Sequence, residues 1–468
     1  MHPILDSDRT ALAELTASAR AVTLDYLQSL DVAPAARVKQ SAEATRIPPS
    51  YEGIGAAATL THFQTSWLPR LASSAGPRYL GFVTGGATPA SLIGDWLTSA
   101  VDQNPQSHWD SDAPELEHET VRRLATWFGL ASHTGTFVTG ATMSNFVGLA
   151  IGREWVGDQR NISVSDEGLA ALGPVAIYSA RPHSSVHKAA SMLGLGRRAV
   201  ISVPSFPGRE AIDVAALEAI LAAHPCTACI VVATLGTVNS GDFDDIDALA
   251  DLQAKYPFWL HVDGAFGAFA ALDPRLESHV RALDRADSVC IDCHKWMNVP
   301  YDSALQFTRR RDLQVRVFQN AATYLGNVGA NPNFVHLTPE NSRRWRALAA
   351  WFSITAYGRQ GHADIVVRNI DSARALGERI LAELDAYLVL LAPVRLNVVL
   401  FTLRDSPDEA RLLDLLAALR DSGETFMTPT CFEGTWAMRA AFSNWQTTPA
   451  DGDRIFEALK RAVVGSGD

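Results

Sequence analysis

The chain has 468 residues, 47% of them hydrophobic and 19% charged, and its 51 acidic and 40 basic side chains give a net charge of −11. This composition is typical of a folded globular protein and excludes extensive disorder. The acidic balance argues against nucleic acid and against an anionic membrane surface as partners, because both favour basic proteins.

The first segment, residues 1–75, is predicted to be a helical arm. Apolar residues recur at helical spacing from Leu12 to Tyr26, and Pro34 and the Pro48-Pro49 pair interrupt the pattern. An arm with so little core of its own has to pack on the main domain or on a second subunit. The acidic start lacks the apolar stretch of a secretory signal, and no apolar run approaches the roughly 18 residues of a membrane helix, so we expect a cytoplasmic protein.

Residues 76–340 are predicted to form a large α/β domain, because short β-branched runs alternate with helical stretches such as Glu115–Phe128. The predicted strands are Thr136–Thr139, Val175–Tyr178, Ala199–Val203, Ile230–Leu235, Trp259–Val262, Ser288–Ile291 and Ala304–Thr308. This alternation predicts a three-layer α/β/α domain around a mostly parallel sheet. In such sheets the chemistry lies at the loops beyond the carboxyl ends of the strands.

Residues 341–468 are predicted to hold a long helix and a small C-terminal α/β domain. The helical region runs from Arg343 to Tyr387 and is interrupted near Gly358 and Gly361. Strands at Val394–Leu403 and Thr435–Phe442 follow, separated by a leucine-rich helix and succeeded by a final helix.

Four of the five cysteines form two C-x-x-C pairs, Cys226/Cys229 and Cys290/Cys293. Two such pairs can build a zinc site, so a zinc-stabilised scaffold without catalytic activity is one alternative. Both pairs border apolar strands, however, and their separation is far longer than the usual roughly 15–20 residues. We therefore interpret them as reduced cysteines of the core.

A lysine follows the apolar strand Ser288–Ile291, in the sequence His294-Lys295-Trp296. Lys295 is either an exposed loop lysine or a Schiff-base lysine, a role that needs a desolvated amine of lowered pKa. About thirty residues earlier, Asp263 ends another apolar strand. Alone it could cap a helix or bind a metal, but with the lysine it suggests the acid that keeps a pyridine nitrogen protonated.

Three further strand ends carry polar or small residues. Gly140-Ala141-Thr142 forms a small-residue turn before a helix, where backbone N–H groups and hydroxyls can bind phosphate. His183 lies in a loop and is either a surface imidazole or a ring that stacks on a flat cofactor. The hydroxyl of Thr237 could support substituents of such a ring.

The order of these features indicates a pyridoxal phosphate site, and here the chain resembles the group II pyridoxal phosphate-dependent amino acid decarboxylases of fold-type I. The resemblance covers the chain from about residue 60 onward. The matching segments are Gly76-Pro-Arg-Tyr79-Leu-Gly-Phe82, His183-Ser-Ser-Val, Thr237-Val-Asn-Ser-Gly-Asp-Phe-Asp-Asp-Ile, His261-Val-Asp263-Gly-Ala265, His294-Lys295-Trp296 and Val299-Pro-Tyr-Asp302.

The resemblance implies an aspartate aminotransferase-like fold, pyridoxal 5'-phosphate as cofactor, and decarboxylation of an L-amino acid to its amine. Lys295 would bond the cofactor, His183 would stack on its ring, and Asp263 would contact the ring nitrogen. The other implied cofactor contacts are Ala141, Thr142, Thr237, Ala265 and His294. Arg439 resembles an arginine at the substrate carboxylate, although it could be a surface arginine on an edge strand. A homodimer with shared active sites is also implied.

Two departures from the family pattern are visible. Counting back from Arg343, the position of the family's lid-loop tyrosine is Phe334, which in the family is associated with oxidative decarboxylation-deamination to an aldehyde. His336 or Tyr324 could then serve as the proton donor instead. The second departure is Asp292-Cys293, where aromatic decarboxylases often have Asn-Pro, and it could alter contacts near the phosphate.

The substrate is predicted from the entrance segment, which holds Tyr79, Phe82 and Thr84 and no basic residue. Together with Arg439 for the carboxylate, this segment favours an aromatic or bulky neutral amino acid over glutamate. The aromatic residues could equally belong to the core. Another fold-type I reaction, such as carbon–carbon cleavage or amino transfer, is a further alternative.

Overall fold

A computed structural model describes residues 1–36, 52–225, 227–320, 332–405 and 408–465. Its main sheet has seven strands, one at each position where the sequence predicts a strand in the large domain. They are β1 (Thr134–Val138), β2 (Ile177–Ser179), β3 (Val200–Ser202), β4 (Cys229–Thr234), β5 (Phe258–Asp263), β6 (Ser288–Asp292) and β7 (Ala304–Thr308).

The strand order in this sheet is β1-β7-β6-β5-β4-β2-β3, and every neighbouring pair is parallel except those that include β7. The register pairs Thr234 of β4 with Asp263 of β5, and Asp263 with Cys290 of β6. The carboxyl ends of three adjacent strands therefore lie side by side. This mostly parallel sheet is the predicted α/β fold, and it brings together the strand ends on which the sequence argument depends.

Sixteen α-helices surround and connect the sheets within these described ranges. They are α1 (Pro3–Thr10), α2 (Leu12–Ser29), α3 (Ala56–His62), α4 (Pro89–Val101), α5 (Ala113–Trp127), α6 (Ala141–Asp158), α7 (Val164–Glu167), α8 (Leu169–Leu172), α9 (Ser184–Met192), α10 (Val214–Ala222), α11 (Ile246–Gln253), α12 (Cys293–Trp296), α13 (Arg311–Phe318), α14 (Ala347–Glu383), α15 (Glu409–Asp421) and α16 (Pro449–Val464). In the part of the chain that the structure describes, none of the helices has the length and hydropathy to cross a membrane.

Both faces of the main sheet are buried, as a parallel sheet requires. Along β4, Val231 and Ala233 belong to the core shared with α5 and α11, whereas Ile230 and Val232 belong to the core shared with α6 and α9. This alternation places helices on both faces and gives the three-layer α/β/α arrangement.

The second sheet is antiparallel and lies in the C-terminal part. Its strands are β8 (Leu388–Leu390), β9 (Val398–Leu403), β10 (Thr428–Phe432) and β11 (Thr435–Ala441), in the order β10-β11-β9-β8. The sequence analysis missed β8 and β10, because β8 has only three residues and β10 contains Pro429. The long helix α14 is broken at Gly358, whose φ of 61° is left-handed, near the predicted interruption.

The N-terminal helices α1 and α2 have no buried residue of their own. They expose leucines such as Leu12 and Leu24. The described part of residues 1–75 contains the helices α1, α2 and α3, and the assignment of this segment as an arm that ends at residue 75 stays a prediction. Pro48 and Pro49 lie outside the described residues.

Candidate active site

A cavity of about 310 Å³ opens at the carboxyl ends of β4, β5 and β6. It is lined by Phe82, Val83, Gly140, Ala141, Thr142, Arg181, His183, Thr234, Gly236, Val238, Asp263, Ala265, Phe266, Asp292, His294, Lys295, Tyr301 and Arg439. Nine of the residues singled out from the sequence are in this set, namely Phe82, Ala141, Thr142, His183, Asp263, Ala265, His294, Lys295 and Arg439. Their positions bring them to one site, and their roles stay predictions.

Lys295 lies in the short helix α12, directly after β6, and its Nζ is 3.0 Å from Oδ2 of Asp292. Burial lowers the pKa of this amine, but the carboxylates of Asp292 and Asp263 outweigh burial and hold the pKa above its ordinary value. The sequence analysis expected a lowered pKa. It did not account for Asp292, whose charge stabilises the ammonium form in the cofactor-free protein.

Asp263 is the last residue of β5 and is buried. Its Oδ2 accepts a hydrogen bond of 2.8 Å from the side-chain amide of Asn145, and its Oδ1 accepts one of 3.2 Å from the backbone N–H of Ala265. Two donors thus hold an acceptor-rich carboxylate at the cavity floor, a suitable arrangement for an acid that has to stay ionised.

Asn145 is itself oriented by a buried chain of hydrogen bonds. Its Oδ1 lies 2.9 Å from Nε2 of His261, and Nδ1 of His261 lies 2.7 Å from the hydroxyl of Ser288. Burial lowers the pKa of His261 to about 4, so its imidazole is neutral and carries one N–H group. That N–H donates a hydrogen bond to the side-chain oxygen of Asn145. Because the Asn145 oxygen accepts this hydrogen bond, the NH₂ group of Asn145 is the end that faces Asp263.

His183 caps helix α9 and borders the cavity. Its Nδ1 accepts from the backbone N–H of Ser185 at 3.3 Å and lies 2.7 Å from the Ser185 hydroxyl. The same hydroxyl accepts from the amide of Asn145 at 3.0 Å. Burial lowers the pKa of His183, and the Asp263 carboxylate opposes that effect. A neutral imidazole with fixed orientation can pack on a flat ring.

The phosphate turn lies where helix α6 begins. The backbone N–H of Ala141, the first residue of α6, donates a hydrogen bond of 2.6 Å to Oδ1 of Asp292. His294 approaches the same oxygen, with its Nε2 at 3.6 Å, and burial lowers the pKa of its ring. A carboxylate therefore lies at the position that the sequence analysis assigned to phosphate.

The cavity entrance has an aromatic rim formed by Phe82 and Tyr301. Phe82 is 61% exposed, and the ring of Tyr301 lies 4.4 Å from that of His294. At Gly85 the entrance segment packs closely against the backbone of Lys295. A β-carbon at this position would overlap the carbonyl oxygen of Lys295. The entrance segment and the lysine segment are thus in direct backbone contact.

Two other predicted entrance residues do not line the cavity. Tyr79 is buried and stacks on Phe426, with 5.0 Å between ring centroids. Thr84 is buried too, and its hydroxyl lies 3.4 Å from that of Tyr301. Tyr79 therefore packs the entrance segment against the C-terminal part of the chain. Thr84 contacts the hydroxyl of Tyr301.

Two arginines border the cavity on the side of the second sheet. Arg439 donates to the carbonyl oxygen of Val238 at 2.5 Å, and its buried Nε has no hydrogen-bond partner among the described residues. Burial lowers the pKa of its guanidinium. Arg181 is more exposed and faces Glu433 at 3.6 Å. The sequence analysis identified Arg439 but missed Arg181. It considered basic residues in the entrance segment, and Arg181 lies outside that segment.

Three other predicted site residues lie away from the cavity. The hydroxyl of Thr237 donates to Glu210 at 2.5 Å in a buried loop network. Phe334 is fully buried and stacks on His118 at 4.4 Å, and Nδ1 of His336 accepts from the backbone N–H of Asn320 at 3.1 Å. None of these three side chains lines the cavity, since each is enclosed by neighbouring elements, and their roles stay predictions. Tyr324 lies outside the described residues.

Three cysteines of the two C-x-x-C pairs are described and have the character of core residues, whereas the fifth cysteine of the chain, Cys431, is exposed. Cys229, Cys290 and Cys293 are buried, and burial raises the pKa of Cys229 to about 12. Cys226 lies outside the described residues. Among the described ones, no group of three or more histidine, cysteine or acidic side chains is placed to hold a metal ion.

Sequence reasoning also missed Asn145 and Thr234 and assigned no role to Tyr301, and for Asp292 it expected only altered contacts near the phosphate. The hydroxyl of Thr234 is buried at the cavity wall without a hydrogen-bond partner among the described residues. A usable signal was present for Thr234, because it ends its strand just as Asp263 does and the two are register partners. Asn145 gives no such signal, since only the fold brings it against Asp263.

Comparison with known proteins identifies related sequences over most of the chain. Residues 59–404 match the family model described as "Pyridoxal-dependent decarboxylase conserved domain". An aromatic-L-amino-acid decarboxylase of Bacillus atrophaeus is 28% identical over 350 residues, 73% of this chain and 70% of that protein. An L-2,4-diaminobutyrate decarboxylase of Rhizobium meliloti is 29% identical over 385 residues, 80% of this chain and 75% of that protein.

Solved structures support the fold. The crystal structure of Oryza sativa TDC with PLP and tryptamine superposes with a TM-score of 0.89 at 20% identity and covers 98% of this chain and 99% of that one. Mouse CSAD in its apo form superposes with a TM-score of 0.85 at 22% identity, covering 97% and 99%. At such identities the likeness establishes the fold alone.

Proposed function

We propose that this chain, which belongs to the pyridoxal-dependent decarboxylase family, acts on an aromatic or bulky neutral L-amino acid and releases its amine and CO₂. The family fixes the coarser statement, since its relatives are pyridoxal phosphate-dependent lyases that decarboxylate amino acids. Those relatives differ in substrate, which includes aromatic amino acids, 2,4-diaminobutyrate, histidine and cysteine sulfinic acid. The substrate class is therefore argued from the cavity.

The cavity residues fit pyridoxal 5'-phosphate. Lys295 offers an amine to the cofactor aldehyde, Asp263 offers a carboxylate to the ring nitrogen, and the first turn of α6 offers backbone N–H groups to the phosphate. The Thr234 hydroxyl, buried and unpartnered among the described residues, is a polar atom that a ring substituent would satisfy. Ala265 has a side chain small enough for a ring to approach it closely.

The chemistry follows from how these side chains are held. When bound, the cofactor supplies an electron sink for the negative charge left at Cα as CO₂ departs. Asp263, oriented by hydrogen bonds from Asn145 and Ala265, would hold a proton on the ring nitrogen. His183 covers a ring face and excludes water from it. Arg439, which still has an unpartnered N–H, binds and orients the substrate carboxylate.

The aromatic rim of Phe82 and Tyr301 is the observation that carries the substrate class. Both side chains line the cavity that holds Lys295, together with Phe266 and Val238. Arg181 could instead attract an acidic side chain, but Glu433 faces it and offsets its charge. An apolar, aromatic wall with one available guanidinium favours a substrate with one carboxylate and a large neutral side chain.

A substrate panel with cofactor-loaded protein tests this proposal. We expect kcat/KM for tryptophan, tyrosine or phenylalanine to exceed that for glutamate and cysteine sulfinic acid by at least about tenfold. Amine, CO₂, aldehyde and peroxide are measured together. Stoichiometric aldehyde and peroxide in place of the amine would show that the chain catalyses the oxidative reaction instead. Lys295→Ala is the control that abolishes turnover. Preference for an acidic substrate, lost in Arg181→Ala, would overturn the proposed class.

The proposal includes a homodimer, supported by the unburied arm. Helix α2 has no buried residue, and Leu12 and Leu24 on it are 60% and 43% exposed. Apolar side chains arranged on an uncovered helix favour association with another surface. Light scattering should give twice the mass of one chain, reduced to one chain by Leu12→Glu with Leu24→Glu. Leu413→Glu, an exposed leucine on α15, is the control that should leave the dimer intact.

A further inference from the structure

The side chain of Asp292 lies at the phosphate end of the cavity with both oxygens in use. Oδ1 accepts from the backbone N–H of Ala141 at 2.6 Å, and Oδ2 lies 3.0 Å from Nζ of Lys295. The residue is 2% exposed, so water contributes little to its solvation. The carboxylate is therefore held by a helix N-terminus on one side and by an ammonium group on the other.

The backbone N–H of Ala141, at the start of α6, is a position in the cavity that favours an anion. Ala141 begins α6, a helix of 18 residues, and its N–H has no partner within the helix. Partial positive charge at the helix N-terminus adds to that preference. In the cofactor-free protein the position already holds a negative charge, supplied by the chain itself.

The charges around Asp292 come from several elements. The groups that face it or interact with it electrostatically are Lys295 and His294 on α12, His183 at α9, and the thiols of Cys290 and Cys293. Lys295 is the fully charged cation among these neighbours. The same amine would bond the cofactor aldehyde, so its nitrogen would no longer serve Asp292 alone while a phosphate is bound.

We propose that the Asp292 carboxylate is an internal competitor of the cofactor phosphate, occupying its helix N-terminus and weakening cofactor retention. The carboxylate already accepts the N–H of Ala141, and two negative charges held next to one helix N-terminus repel substantially even at an effective dielectric constant of about 20. Filling half of the sites therefore requires a higher concentration of pyridoxal phosphate than it would without the Asp292 carboxylate. This inference concerns the cofactor and is independent of the substrate class.

Calorimetric titration of cofactor-free protein tests the competition without turnover. The ligands are pyridoxamine 5'-phosphate and pyridoxamine, which carry an amine in place of the aldehyde and so do not bond Lys295. We expect Asp292→Asn to bind pyridoxamine 5'-phosphate at least about tenfold more tightly than the unmodified chain, as expected for removal of a nearby like charge. Binding of pyridoxamine should change by less than about twofold, since that ligand has no phosphate.

Asp302→Asn is the matched control. Its carboxylate is near His294 but pairs with Arg346 at 2.8 Å and does not contact Ala141, so the ratio of the two affinities should stay unchanged. Asp292→Ala serves if the asparagine variant does not fold, and it should also favour the phosphate ligand. Equal or weaker binding of pyridoxamine 5'-phosphate by a folded Asp292 variant would overturn the proposal, as would a parallel gain for both ligands.

Discussion

The Asp263 carboxylate and the Asn145 amide are joined by a 2.8 Å hydrogen bond that is buried beneath the cavity. Asn145 is in turn oriented by the neutral imidazole of His261. The acid proposed to contact the cofactor ring is therefore positioned by a residue on a different element, α6, rather than by its own strand alone.

Asn145→Ala should lower kcat by about 10- to 100-fold, the usual effect of losing such a supporting hydrogen bond, with little change in KM. The physical reason is that Asp263 loses a donor that fixes its orientation and stabilises its charge. Steady-state kinetics with saturating cofactor measure this effect. Asn397→Ala removes another fully buried asparagine, one that bonds Phe442 in the C-terminal part, and should leave kcat unchanged in folded protein. Equal losses in both variants would contradict the role given to Asn145.

Arg439→Ala should raise KM by at least about tenfold, because the substrate carboxylate loses its guanidinium partner. Arg181→Ala, at the exposed side of the same cavity, should change KM for a neutral amino acid by less than about threefold, since Glu433 already pairs with Arg181. Initial rates over a range of substrate concentrations separate KM from kcat. A larger KM effect at Arg181 would assign the carboxylate to that residue instead.

The ion pair between Glu117 and Arg343 predicts a large stability effect. Both side chains are buried, and two hydrogen bonds of 2.6 and 2.9 Å join them. Glu117→Ala leaves a buried, uncompensated guanidinium and should lower the free energy of unfolding by about 3–5 kcal/mol. Glu115→Ala breaks an exposed pair with Arg122 on the same helix and should cost under about 1 kcal/mol. Urea denaturation followed by circular dichroism compares the two.

The buried histidines predict loss of stability in acid. Burial lowers the pKa of His362 to about 4, whereas the unfolded chain binds that proton near pH 6.5. The unfolded state therefore binds more protons as the pH falls from 6.5 towards 4, and the folded state loses stability in that window. His362→Gln should reduce the stability lost between pH 7 and pH 5 by about 2 kcal/mol. His224→Gln, at an exposed position, should leave the pH dependence unchanged.

Much of the fold could be predicted because its signals are local. The seven strands of the main sheet contain short stretches of apolar or β-branched residues. Asp263 ends one strand and Lys295 closely follows another, and functional residues of a parallel sheet lie at such strand ends. Asn145 and Arg181 could not be assigned in this way. Their roles depend on contacts across about 118 and 252 residues of chain respectively, to Asp263 and Glu433, and no local pattern encodes such distances.

The lid positions were the least predictable. Counting back from Arg343 placed Phe334 at the position of the family's lid-loop tyrosine, and in the structure its ring packs between His118 and Arg343 inside the chain. Counting along a loop gives the order of residues and not the direction of their side chains. The raised pKa of Lys295 was missed for a related reason, because the effect of Asp292 depends on a turn of α12 that brings the two side chains together.

The close backbone approach at Gly85 has a consequence for how this enzyme can change its substrate. Since a side chain at that position would collide with the carbonyl of Lys295, the rim of the cavity is anchored to the Lys295 segment and cannot be remodelled by shifting the loop. Diversification of specificity is then restricted to exchanges of side chains on a fixed frame, with Phe82 and Tyr301 as the accessible positions. Directed evolution of this chain should accordingly find gains at those two residues and none at Gly85.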